Sequence, residues 1–143
     1  MQYYMSRNID PDDVVFDKAE QPLLRIDPLL GRITRRYGGK LEINYHGRPR
    51  RDIRVTGSDG IHRTLEIAAV LSDAERGWEL GNYEYIIGLA ASKGSGAKVR
   101  CWSRHAGMFK RLPEDEKLER ILASAWERLS AVKDDDLRLA TFK

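Results

Sequence analysis

With a single cysteine, Cys101, the chain can form no internal disulfide, which suits a reducing compartment without requiring one. Long apolar runs are lacking too. The longest, Ile67 to Leu71, is five residues, far below the ~20 that a membrane-spanning helix needs. The amino-terminal MQYYMSRNIDPDD holds no apolar stretch of the signal-peptide kind, so the expected location is cytoplasmic, with no membrane partner. No Cys-x-x-Cys or His-x-x-x-His occurs, and His46, His62 and His105 fall on separate segments, so neither a metal site nor a cofactor is expected. There is no internal repeat, heptad array or low-complexity linker. Residues 1–143 therefore read as one domain, with 1–9 and 134–143 as flexible ends.

What the sequence does hold is charge, unevenly placed. At 41% hydrophobic and 33% charged, the 143 residues belong with folded globular chains. The net charge of +3 hides a segregation. Arg32 to Arg63 carries nine basic residues against Glu42, Asp52 and Asp59, and Lys93 to Leu112 carries six against no acid. Each block nets +6 and the remainder −9. Clustered cations are the usual footprint of an anionic partner.

The pattern of elements points to an α+β fold. Asp10-Pro11 has the form of a cap and first position for a short helix, and Asp27-Pro28 repeats it for a second. Leu29, Leu30, Ile33 and Tyr37 give that second helix its apolar stripe, and Gly38-Gly39 stops it. Lys40 to His46 alternates as a strand with Leu41, Ile43 and Tyr45 inward. Arg51 to Thr56 forms another, with Ile53 and Val55 inward. Between them Gly47-Arg48-Pro49 makes a wide arginine-rich loop. Residues 64–76 fit either strand or helix; strand is favoured through Leu71, with a capping box at Ser72 opening any short helix. Tyr83 to Ala91 and Ala97 to His105 read as a hairpin. Pro113 opens a last helix, with Leu118, Ile121, Leu122, Ala125, Leu129 and Val132 as its buried stripe. The expected architecture is a mainly antiparallel sheet of about five strands, with an N-terminal and a C-terminal helix packed on one face. The other face is left to solvent or a partner.

Two constellations are candidates for binding. On the strand from Ala97, Lys98, Arg100, Trp102 and Arg104 share one face, a cationic row broken by an aromatic, as a surface needs to track phosphates and stack a base. A five-residue loop sets Gly88 opposite Arg100, Ile86 opposite Trp102 and Glu84 opposite Arg104. That register leaves two roles open for Trp102, a ligand platform or a packing residue buried on Ile86. The second constellation is Arg48, Arg50 and Arg51 around the proline turn, where guanidinium groups suit phosphate or carboxylate oxygens. Arg35 and Arg36 sit at a helix end whose dipole accounts for them.

No catalytic residue emerges. Ser92-Lys93-Gly94-Ser95-Gly96 lacks the spacing of a phosphate-binding loop and leads into a strand, not a helix. Cys101 alternates inward as a small buried hydrophobe, and the carboxylates gather at helix ends, marking no cleft. The function expected is a non-enzymatic binding module engaging an anionic macromolecule, nucleic acid foremost, through Arg48, Arg50, Arg51, Lys98, Arg100 and Trp102. The alternative is a protein–protein inhibitor or adaptor, an immunity-type or regulatory protein docking on an acidic surface. No oligomeric state follows from the sequence.

Overall fold

The computed structural model describes residues 11–44, 49–71 and 83–139, with side chains for 18–44, 49–70 and 84–139. Its first element, helix α1 (Pro11–Tyr37), runs unbroken through Pro22 and Pro28. Asp27 and Pro28, expected to begin a separate helix, are interior to it. Each proline withholds an N–H from the carbonyl four residues before it. Those residues, Lys18 and Leu24, are exposed, where water can supply the missing donor. Against that cost stands one long buried stripe of Ala19, Leu23, Ile26, Leu30 and Ile33. The helix closes where expected. Gly39 N–H donates to Thr34 O at 2.9 Å and Gly38 N–H to Arg35 O at 3.2 Å, with Gly38 at φ 69°.

Six strands follow in one antiparallel sheet whose spatial order is the chain order. They are β1 (Lys40–Asn44), β2 (Arg50–Thr56), β3 (His62–Leu71), β4 (Tyr83–Lys93), β5 (Arg100–Phe109) and β6 (Arg138–Leu139). Helix α2 (Asp115–Ser130) lies between β5 and β6. It starts at Asp115 rather than Pro113, and Leu118, Leu122, Ala125 and Leu129 are its buried residues. The segment 134–143 is not a tail through its first six residues. Asp134–Asp136 make a 3-10 turn, Leu137 is buried, and Arg138–Leu139 pair with β5. Residues 64–71 are strand, as favoured. The capping box at Ser72, Arg48 of the proline turn, and residues 1–9 lie outside the described residues.

The α+β architecture has its core on one sheet face. Ile53 of β2, Leu65, Ile67 and Ala69 of β3, and Tyr85, Ile87, Leu89 and Ala91 of β4 are all buried there. Helix α1 packs chiefly on β1 and β2, and α2 on β3 and β4. Ile43, expected inward, is 49% exposed because β1 is the sheet edge. Trp126 of α2 stacks on Tyr37 of α1, ring centroids 4.5 Å apart.

Two buried arginines tie the helices to the sheet. Arg63 on β3 donates from Nε to Leu129 O at 3.1 Å and from Nη2 to Val132 O, tying the C-terminal end of α2 and the residues just after it to the sheet. Asp59 in the β2–β3 turn holds the same guanidinium at 3.1 Å. That contact, and then the Ile61 N–H, hold the Asp59 carboxyl below its ordinary value. Arg51 on β2 is fully buried under α1, where its Nε and Nη2 donate to the two oxygens of Asp27 at 2.8 and 3.2 Å. Its Nη2 also reaches Glu20 Oε2 at 3.4 Å.

Removing one member of a buried ion pair leaves its partner charged and unpaired, at a cost of about 3–5 kcal/mol. Arg51→Met is expected to lower unfolding free energy by about that much in urea titration. Replacing Glu20 and Asp27 by leucine in the same variant should recover most of the loss, because no orphaned carboxylate is then left.

Candidate functional site

Where the cations end up is decided by the connection between β4 and β5. Strand β4 continues to Lys93, and the chain turns through Gly94 at φ 97° and Gly96 at φ 58° into a 3-10 turn, Gly96–Lys98. A Cβ on Gly94 would stand 2.8 Å from Lys98 O, so the turn is built around glycine. The register that results pairs Lys93 with Arg100, Ala91 with Trp102 and Leu89 with Arg104. The sequence reading set Arg100, Trp102 and Arg104 against Gly88, Ile86 and Glu84. Those β4 residues belong to the opposite face, so a change of odd parity moves the whole row across the sheet. Arg100, Trp102 and Arg104 therefore share the face of the core, and Cys101 and Ser103 look out from the other side. Cys101, expected to be buried, is half-exposed there.

A β-bulge completes the arrangement. The pairing shifts between Ile87 and Gly88: Gly88 faces His105 while Ile87 faces Gly107. One extra residue at this point restores parity. Trp102 and Phe109, seven positions apart, thereby both pack against the core.

The five of the expected binding residues that are described, Arg50, Arg51, Lys98, Arg100 and Trp102, do not form one surface. Arg51 is internal, as described, and cannot reach a macromolecular partner. Arg50 lies on the outer face, its Nε 3.3 Å from Asp52 Oδ2 and 3.9 Å from Glu66 Oε2. Arg100 is held across the sheet end by Asp134, with Nη2 to Oδ1 at 2.9 Å. Lys93 reaches the same carboxylate oxygen at 3.1 Å. These two contacts, Arg100 first, lower the Asp134 carboxyl from its ordinary value, and the hydrogen bond to Asp134 raises Arg100. Lys98 is exposed in the turn, with no ion pair among the described residues, and Trp102 is half-buried.

A different set gathers around Trp102. Among the described residues, strand β6 pairs with β5 at Arg100 and Cys101. Beyond that point the two chains part and leave an open groove of about 400 Å3 lined by Cys101, Trp102, Ser103, Arg104, Asp136 and Arg138. Arg104 lies over the indole, its Cζ 5.2 Å from the ring centroid, and Nη1 donates to Ser103 O at 2.7 Å. Arg138 Nη1 serves the Asp135 and Leu137 carbonyls. Neither guanidinium has a carboxylate partner among the described residues. The one acid in the lining, Asp136, accepts the Lys133 N–H through Oδ2 at 2.8 Å. Such a site offers unspent N–H donors beside an aromatic ring, which suits a planar anionic group. Arg138 was invisible to periodicity, since two residues are too few to show alternation. Among the described residues no group of histidine, cysteine and carboxylate side chains could hold a metal ion. Comparison with protein-family models, curated proteins and solved structures finds no match to this chain.

The outer face carries one unusual carboxylate. Asp52 is 1% exposed and its Oδ1 has no hydrogen-bond partner among the described residues. Burial pushes its carboxyl above the ordinary value of 3.8, against the pull of Arg50 and Arg54. A carboxyl raised on folding is destabilising while ionised, and stability is regained as pH falls through its folded-state value toward the ordinary one. Wild type should therefore gain stability relative to Asp52→Asn on acidification through that window. Thermal unfolding of both proteins across the range from neutral to acid measures the difference, which should be flat if the carboxyl were unperturbed.

Proposed function

We propose that the chain is a non-enzymatic binding module whose groove between β5 and β6 takes an anionic partner, single-stranded nucleic acid. The observation that carries this reading is Trp102, half-buried, lining one groove with Arg104 and Arg138, neither of which has a carboxylate partner among the described residues. A base stacks on an indole whatever its identity, and guanidinium groups meet the phosphates to either side. Lys98, exposed in the turn that leads into β5, extends the positive path. The earlier candidates contribute less: Arg50 and Arg100 are occupied by Asp52 and Asp134.

Fluorescence anisotropy with a labelled single-stranded oligonucleotide at low and moderate salt tests the reading. Affinity should fall steeply with salt, because phosphate neutralisation releases counterions. Trp102→Ala should weaken binding by about 1–3 kcal/mol, the worth of one base–aromatic stack. Arg104→Gln with Arg138→Gln should weaken it and flatten the salt slope. Affinity indifferent to salt, or unchanged by these substitutions, overturns it.

A protein partner is the second reading, favoured by Met108, which is 60% exposed on the stretch of β5 beyond its pairing with β6. It predicts failure of oligonucleotides and a protein complex lost in Met108→Lys.

A further inference from the structure

We propose that β1 is a self-pairing edge: two copies of the chain join β1 to β1 antiparallel about a two-fold axis at Leu41, fusing two six-stranded sheets into one. Strand β1 stands at the sheet edge, with no strand beyond it among the described residues. Its outward backbone groups form a template for another strand. Ile43 lies on the core side of the sheet, paired in register with the buried Arg51, and is nonetheless 49% exposed. A symmetric contact needs a surface that complements itself, residue i meeting j and j meeting i.

Charge selects the register. Lys40 has no ion pair among the described residues. Glu42 lies opposite the buried Asp52 and is held by one cation, Arg54, at 3.4 Å. An axis at Leu41 sets Lys40 of each copy against Glu42 of the other, two opposite-charge cross-strand pairs from one symmetry operation. On the core side it sets Leu41 against Leu41 and Ile43 against Gly39. Gly39 carries no side chain to oppose the isoleucine, and none fits there: Arg54 O and Val55 Cγ2 lie 2.7 Å from where a Cβ would stand. An axis at Glu42 would oppose two carboxylates, and an axis at Ile43 would leave both Lys40 and Glu42 unmatched. The partner is thus a second copy of this chain in one register. A five-residue strand buries less than the ~800 Å2 per partner of stable complexes, so the association depends on concentration. The β5–β6 grooves lie at the far edges of the joined sheet and stay open.

Sedimentation velocity from micromolar to near-millimolar protein tests the proposal, with thermal unfolding as the check that each variant is folded. Wild type should shift from monomer to dimer with concentration. Lys40→Glu and Glu42→Lys should each weaken the dimer about tenfold or more, and the double variant K40E/E42K should restore it, since the reversed charges meet in the same places. As a second measure, Leu41→Cys in a Cys101→Ser background should cross-link on mild oxidation, the two positions facing each other within disulfide reach. Ile43→Cys in that background, which faces glycine, should not. A monomer at every concentration, a dimer indifferent to the single charge reversals, no rescue in the double variant, or cross-linking at Ile43→Cys but not at Leu41→Cys would each overturn it.

Discussion

Each strand of this sheet has two faces, and which face a side chain takes is a matter of parity, so one residue of slip exchanges core for solvent. The core is written on one parity through three strands: Ile53 of β2, Leu65 and Ile67 of β3, Ile87 and Leu89 of β4. The turn at Gly94 and Gly96 then brings β5 back with Trp102 and Arg104 on the core side. The bulge opposite Ile87 and Gly88 corrects the count, so that Phe109 also reaches the core. Without that extra residue, Trp102 and Phe109 would need opposite faces. The groove beside Trp102 owes its position to these two local events.

Periodicity was a good guide wherever an element buried one regular stripe. The apolar spacing of α2, the alternation of β2 and β3, and the Gly38-Gly39 stop all correspond to what the chain does, because local propensity and tertiary burial agree there. The failures share a physical cause, which is that tertiary context outweighed a local signal. Pro28 looks like a helix start, yet the stripe from Ala19 to Ile33 holds α1 together across it. The β4–β5 register turned on how many residues the glycine turn consumes, and alternation alone does not contain that number. Strand β6 is two residues long and is made by its neighbour, not by its own sequence.

Counting charge along the chain also misled, for an electrostatic reason. In the first basic block Arg36 is paired with Glu119, Arg51 with Glu20 and Asp27, and Arg50 reaches Glu66; in the second, Lys93 and Arg100 share Asp134. These acids lie outside the basic blocks in sequence, and they add to Asp52, Glu42 and Asp59 inside the first block, which meet Arg50, Arg54 and Arg63. Folding mixes what the sequence segregates, and the acids are delivered to the cations that most need them. The two most buried cations, Arg51 and Arg63, are anchors for the helices, a role that demands a guanidinium's several donors at fixed angles. Arg104 and Arg138 stand out only after this pairing is known.

A meander whose strand order is its chain order has a kinetic corollary. From β1 to β5 each strand pairs with its neighbour in sequence, so those five strands can assemble by short-range steps that cost little loop entropy, while β6 joins only across α2. The arginine anchors work at another scale: Arg63 meets Leu129 across 66 positions and Val132 across 69. Docking of α2 must therefore wait for a contact of high sequence separation, and the C-terminal helix and the strand that follows it close the fold at a longer range than the meander does.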